Sequence, residues 1–195
     1  MEVSIAMPCL NEAENMNKKI AILRGINVGG RRKILMADLK LLFEDFGFNN
    51  ISTYIQSGNV IFDDTTEISD LEIANTIEAA ILNKYQFTVP VIVVSSKDLV
   101  KAVKSNPYYQ GESVDISKLH LTFLKEKPSK EGLQKIASYN YEPDKFVING
   151  QNVFIFCEGK YHQSKLTNNF FERKLAVSAT TRNWKTVLKL AELSK

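Results

Sequence analysis

The 195-residue sequence predicts an α+β fold in which one element order, β-α-β-β-α-β, occurs twice. Three observations carry this prediction. Short apolar runs alternate with stretches of helical hydrophobic spacing along the whole chain. Each half holds a hairpin with turn chemistry, Ser57-Gly58-Asn59 in the first and Asn149-Gly150 in the second. Pro90 stands inside the fourth apolar run, and a proline, which cannot donate to a ladder, belongs on an edge strand.

Residues 20–23 open the first half as a short apolar strand closed by Arg24-Gly25. Met36, Leu39, Leu42, Phe43 and Phe46 then fall on one helical face, with Gly47 as the terminating glycine. Residues 51–56 alternate with period two and return as residues 60–62. Ser69 and Glu72 form a capping box for a helix whose inner face is Ile73, Ala74, Ile77, Ala80 and Ile81. Residues 87–94 complete the unit as its edge strand. This order is the ferredoxin-like, or split βαβ, arrangement.

Ser95 or Ser96 caps a short helix through Lys104, ended by Asn106-Pro107. Residues 108–117 read as a linker. Residues 119–124 form a strand, and Ser129 starts a helix carrying Leu133, Ile136 and Ala137. Residues 145–148 and 152–156 make the second hairpin. Residues 164–175 read as a helix, 176–179 as a short strand, and Thr181 as the cap of a last helix with Val187, Leu188, Ala191 and Trp184 on its apolar face. The organisation expected is an N-terminal extension over 1–18, a ferredoxin-like half over 19–95, a helix and linker over 96–117, and a second ferredoxin-like half with an appended C-terminal helix over 118–195.

Composition narrows the class. Hydrophobic residues make 44% and charged residues 24% of the chain, which excludes collagen-like, coiled-coil and disordered sequences. The net charge of +3 is too mild to name a partner by itself. Cys9 and Cys157 lie far apart without metal-binding spacing, so no disulfide framework, metal site or cofactor is expected, and isolated thiols fit a cytoplasmic protein. No apolar run reaches the ~18 residues of a membrane span. The expectation is a monomer or weak homodimer.

Residues 3–16, VSIAMPCLNEAENM, resemble the opening strand and turn of family 2 glycosyltransferases, but the long nucleotide-binding fold does not follow. The more specific resemblance rests on four blocks: ILRGINVGG, TYIQSGNVIF, SKLTNN and ATTRNWKTVLKL. In that order they resemble a widespread bacterial family catalogued as domain of unknown function 1697, from about residue 19 to the C-terminus. The resemblance implies a compact cytoplasmic α+β protein and carries no catalytic residue with it.

The candidate ligand-binding residues lie in these blocks and in the basic run that directly follows the first. Arg24, Arg31, Arg32 and Lys33 share a loop with Gly25, Asn27, Gly29 and Gly30 and no acid, and free N–H groups ahead of the helix near Ile34 suit an anion. The spacing matches neither a dinucleotide fingerprint nor a P-loop. Gln56, Ser57 and Asn59 sit in the first hairpin turn, as ligand donors or as plain turn formers. Arg182 and Asn183, read as the first turn of the last helix beside Trp184, oppose the helix dipole unless they meet an anion or a buried carboxylate. Lys165 closes the basic run after the second hairpin. Together these predict a basic cleft between the halves that binds a phosphate-bearing small molecule or nucleic acid. Alternatives are an enzyme acting on a small anionic metabolite, with Ser57 or Lys165 doing chemistry, and a module that binds proteins through sheet edges.

Overall fold

A computed structural model describes residues 17–66, 68–110 and 114–195. The glycosyltransferase-like segment lies outside them, as does the expected extension apart from its last two residues. Those two begin strand β1, Asn17–Leu23. The first half continues with α1 (Met36–Glu44), β2 (Asn49–Tyr54), β3 (Asn59–Asp64), α2 (Asp70–Tyr85), β4 (Val91–Ser95) and α3 (Ser96–Lys104). The second repeats it with β5 (Leu119–Leu124), α4 (Lys130–Ala137), β6 (Lys145–Asn149), β7 (Asn152–Phe156), α5 (Asn168–Leu175), β8 (Ala179–Asn183) and α6 (Trp184–Leu193). Two antiparallel sheets result, ordered β2-β3-β1-β4 and β6-β7-β5-β8. This is the ferredoxin-like arrangement twice over, and each copy carries one extra helix at its end.

The capping box of α2 forms as read, with Ser69 accepting from the Glu72 N–H and the Glu72 carboxylate accepting from Ser69. Pro90 sits just before β4, not inside it, and β4 is an edge as its proline requires. Leu133, expected on an inner face, is exposed; Gly132 and Ile136 bring α4 against its neighbours. The expected helix over 164–175 starts only at Asn168, capped by Thr167. The largest correction falls at the end. The strand expected at 176–179 runs over Ala179–Asn183, so Thr181 and Arg182 are strand residues and Asn183 is the cap of α6. Its side chain accepts from the Thr186 N–H at 2.8 Å.

Each sheet is apolar on both faces. In β1, Ala21 and Leu23 face α1 and α2, while Ile20 and Ile22 face away. In β5, Leu124 lies with α4 and α5, while Leu119, Leu121 and Phe123 turn the other way. The two away-facing sides share one core with α3 and α6, in which Trp184 is fully buried. The halves therefore pack sheet against sheet, and neither presents an open face.

The same polar device ties both halves across this seam. Glu172 of α5 takes the first N–H of β8, from Ala179, at 3.1 Å, and pairs with Arg24, the residue after β1. Glu78 of α2 takes the first N–H of β4, from Val91, at 2.8 Å, and pairs with Lys125, the residue after β5, at 2.6 Å. Each carboxylate thus satisfies an edge donor of its own half and binds a cation of the other.

Trp184→Ala should remove about 3–5 kcal/mol through the cavity left in the shared core. Because that core belongs to both halves, urea unfolding of the variant should remain one transition, read identically by circular dichroism and by tyrosine fluorescence.

Candidate functional site

The loop from Arg24 to Lys33 is held in shape by one side chain. The Asn27 amide donates to the carbonyls of Ile34 and Gln56, both at 2.9 Å, and accepts from the Ile34 N–H at 2.9 Å. The N–H expected to greet an anion near Ile34 is therefore already used. Gly25, Gly29 and Gly30 have φ of 69°, 57° and 74°, and Asn27 and Arg32 also lie at positive φ. This backbone turns the tip outward. Arg31, Arg32 and Lys33 are exposed and join no ion pair among the described residues, and Val28 and Leu35 beside them are 63% and 70% exposed. Below the tip lies a hollow of about 250 Å³ lined by Asn27, Gly30, Lys33, Leu35, Met36 and Gln56. The start of α1 borders it, and the residue at its N-cap position, Leu35, offers no side-chain acceptor.

The hairpin residues divide. Gln56 is exposed at the rim of this hollow. Asn59 is fully buried; its amide donates to the Tyr54 carbonyl at 3.0 Å and to the Ser57 hydroxyl at 3.3 Å. Gly58 between them has φ of 81°, and a Cβ there would stand 2.7 Å from Ile26 and 2.8 Å from Leu23. Only glycine fits that turn.

Arg182 does not greet an anion or a carboxylate. Its Nε donates to Asn59 Oδ1 at 2.7 Å. One terminal nitrogen reaches the Leu23 carbonyl at 2.7 Å and the Ser57 carbonyl at 3.1 Å. The other reaches the Thr181 carbonyl at 3.1 Å and the Thr180 hydroxyl at 3.3 Å. All five donors of the guanidinium meet neutral oxygens, most of them in the other half. Burial pushes its pKa down to about 10, which leaves it charged at neutral pH. Arg24 likewise turns inward, to Glu172 and to Asn169 at 2.8 Å. Asn183 is a helix cap and Trp184 a core residue. Lys165 is exposed on the second half, its ammonium 5.8 Å from the centre of the Tyr141 ring.

Four sequence blocks therefore meet at one seam: Arg24 touches Asn169, Asn168 accepts from Thr181 at 2.6 Å, and Arg182 holds the Ser57–Asn59 turn. Arg182 binds the carbonyl of Leu23, the residue before Arg24, and Arg24 binds Glu172 and Asn169, so both arginines act as clasps across the seam. A cleft between the halves also exists, elsewhere. It measures about 890 Å³ and is bordered by α2, β4, α3, the end of β5 and the β6–β7 hairpin. Its charges are mixed, with Asp70, Asp98 and Glu126 against Lys101, Lys125 and Lys127, and none of the candidate residues read from the sequence lines it. His120 and Cys157 are buried as strand-associated residues, the histidine ring stacked 4.4 Å from Tyr161, and burial lowers the histidine pKa and raises that of the thiol.

A family model described as "Protein of unknown function (DUF1697)" matches residues 16–154. The two C-terminal sequence blocks lie beyond that match. The chain is similar to a conserved bacterial protein from Streptococcus pneumoniae whose structure is solved, with 23% identity, a TM-score of 0.74, and coverage of 92% of this chain and 99% of that one. At that identity the likeness establishes the fold. No curated protein matches the chain.

Arg182→Ala should cost about 2–4 kcal/mol, because it strands the Leu23, Ser57 and Asn59 oxygens at a dry seam. Arg182→Lys should recover only part of this, since one ammonium cannot reach acceptors on both sides. Denaturant midpoints of the two variants against wild type check the order.

Proposed function

We propose that this chain, which belongs to the family described as protein of unknown function DUF1697, binds a phosphate-bearing anion at the tip of its Gly–Arg loop. The observation that carries the reading is the division of the cations in the Gly–Arg loop and at Arg182. Arg24 and Arg182 are consumed inside the molecule. Arg31, Arg32 and Lys33 stand exposed, without ion-pair partners among the described residues, on a tip that Asn27 holds rigid. Three cations on an immobilised backbone lose little entropy when an anion arrives. The adjoining 250 Å³ hollow, with the uncapped start of α1 and the Gln56 amide at its rim, suits a phosphate group and not a whole nucleotide. The site is thus narrower than a cleft between halves, and belongs to the first half.

The packing also decides how nucleic acid would bind. Base stacking on an open sheet, as RNA-recognition domains do it, has no surface here, because both away-facing sheet sides are buried against each other. Contact would run through backbone phosphates and fall steeply with salt. For the enzymatic alternative, the Ser57 hydroxyl accepts from Asn59 and the Lys165 ammonium lies over the Tyr141 ring. No helix among the described residues is long and apolar enough to cross a membrane.

Titration with inorganic phosphate, and with a short single-stranded RNA over a salt series, tests the reading. Three phosphate contacts predict a log–log salt slope of about −2 for the RNA. Replacing Arg31, Arg32 and Lys33 by alanine should abolish both signals and leave the melting temperature nearly unchanged, since none of the three is packed. Equal binding by wild type and triple variant would refute the site.

A further inference from the structure

The two halves correspond residue by residue along their hydrogen bonds. The last residues of β1 and β5, Leu23 and Leu124, donate to Gly58 and Gln151, each at 2.8 Å. The residues after them, Arg24 and Lys125, donate from the backbone to Pro90 and Ser178, each at 2.9 Å. Leu23 pairs with Val91 as Leu124 pairs with Ala179, and Ile20 pairs with Val94 as Leu121 pairs with Arg182. Position 94 in the first half is therefore position 182 in the second. By the same register the Ser57, Gly58 and Asn59 turn corresponds to Gly150, Gln151 and Asn152.

Arg182 fills its place: its guanidinium sits on oxygens of Leu23, Ser57 and Asn59 across the seam. At the corresponding place the side chain is that of Val94, three carbons long, and the groups across the seam are Leu124, Gly150 and Asn152. The 890 Å³ cleft lies at that spot, and Val94, Leu124, Gly150, Gln151 and Asn152 all line it. The cleft repeats the cross-seam part of the seat of Arg182 without the arginine; on the strand's own side Thr180, whose hydroxyl also accepts from Arg182, corresponds to Ile92.

We infer that this cleft binds a ligand bearing a guanidinium on an aliphatic stem, the chemistry of an arginine side chain, supplied by a peptide or by the free amino acid. The fold itself demonstrates that neutral carbonyl and amide oxygens in this arrangement hold a guanidinium. Gln151 already imitates one, since its amide donates to the carbonyls of Leu124 and Lys125 at 3.2 and 3.1 Å. An arriving guanidinium replaces or shares those bonds. Val94, Leu99 and Phe123 offer an apolar wall for the stem. Asp98 and Glu126 favour the cationic head, and Lys101 and Lys127 the carboxylate of a free amino acid or chain terminus. The volume exceeds that of one amino acid and admits flanking residues of a short peptide. The seat is separate from the Gly–Arg loop and does not depend on it.

Calorimetric titration of the full chain with Nα-acetyl-arginine amide, its citrulline analogue, free arginine and Gly-Arg-Gly tests the inference. Citrulline keeps the shape and loses the charge, so it should bind at least about tenfold more weakly than the arginine compound. Val94→Arg should fill the seat from within, raising the melting temperature and eliminating arginine binding, while Val94→Leu should retain it. Asn152→Leu removes the amide oxygen that corresponds to the one on Nε of Arg182 and should weaken binding about tenfold whether or not Val94→Arg folds. Tighter binding of Gly-Arg-Gly assigns the seat to peptides, and tighter binding of the free amino acid assigns it to that. No heat with any arginine compound, equal binding of citrulline, or unchanged binding in Asn152→Leu would overturn the inference. The loop variant lacking Arg31, Arg32 and Lys33 should bind arginine as wild type does, so failure of one site leaves the other standing.

Discussion

Both sheets are hydrophobic on both faces, and the rest of the structure follows from having to cover the second face. Helices α1, α2, α4 and α5 cover one side of each sheet, and the other side is covered by its counterpart in the other half together with α3 and α6. Burying roughly a dozen aliphatic and aromatic side chains between the sheets removes water from the strand ends as well. Every polar group near those ends must then find a partner inside the protein. Glu78 and Glu172 each answer an edge N–H and a foreign cation, and Arg182 answers carbonyls that a tight glycine turn points into the seam. These bonds do not drive the association of the halves; they make it tolerable.

Much of this was legible in local chemistry. The bounds of β5, the Asn-Gly hairpin, the capping box of α2 and the edge position of the strand after Pro90 all rest on residues within four of one another, and such signals survive in the fold. The end of the chain reads one element out of register because its signals compete. Thr181 and Asn183 are both good caps, and Thr180-Thr181 is equally a β-branched strand segment. Tertiary pairing with β5 decides for the strand. Once Arg182 is a strand residue, its objection to the helix dipole disappears, and with it the argument that it awaits an anion. The acids that neutralise Arg24 and Lys125 were unreadable for another reason: Glu172 and Glu78 are mid-helix residues whose spacing announces nothing. That both sheets have a partner for their second face is likewise absent from period-two patterning, which gives polarity of faces and not what lies against them.

The basic residues of the Gly–Arg loop illustrate how little sequence proximity says about role. Arg24 and Arg31 are seven positions apart in a loop without acids. One reaches into α5 of the other half, and the other stands in solvent on a backbone pinned by Asn27. A count of cations treats the two alike; their hydrogen bonds tell them apart.

The sharing of the central core has a consequence for synthesis on the ribosome. Chain emerges from its N-terminus, so β1 to β4 can pair and take on α1 and α2 while the second half is still being made. The aliphatic row of Ile20, Ile22, Ile61 and Ile92 then has only α3 to shelter it. Its remaining cover comes from β5, β7 and α6, all of which follow it in the chain, with Trp184, Val187 and Leu190 of α6 at its centre. Until the second half is made, the first sheet stands formed with one apolar face largely uncovered, so the order of synthesis leaves a greasy surface waiting for its partner.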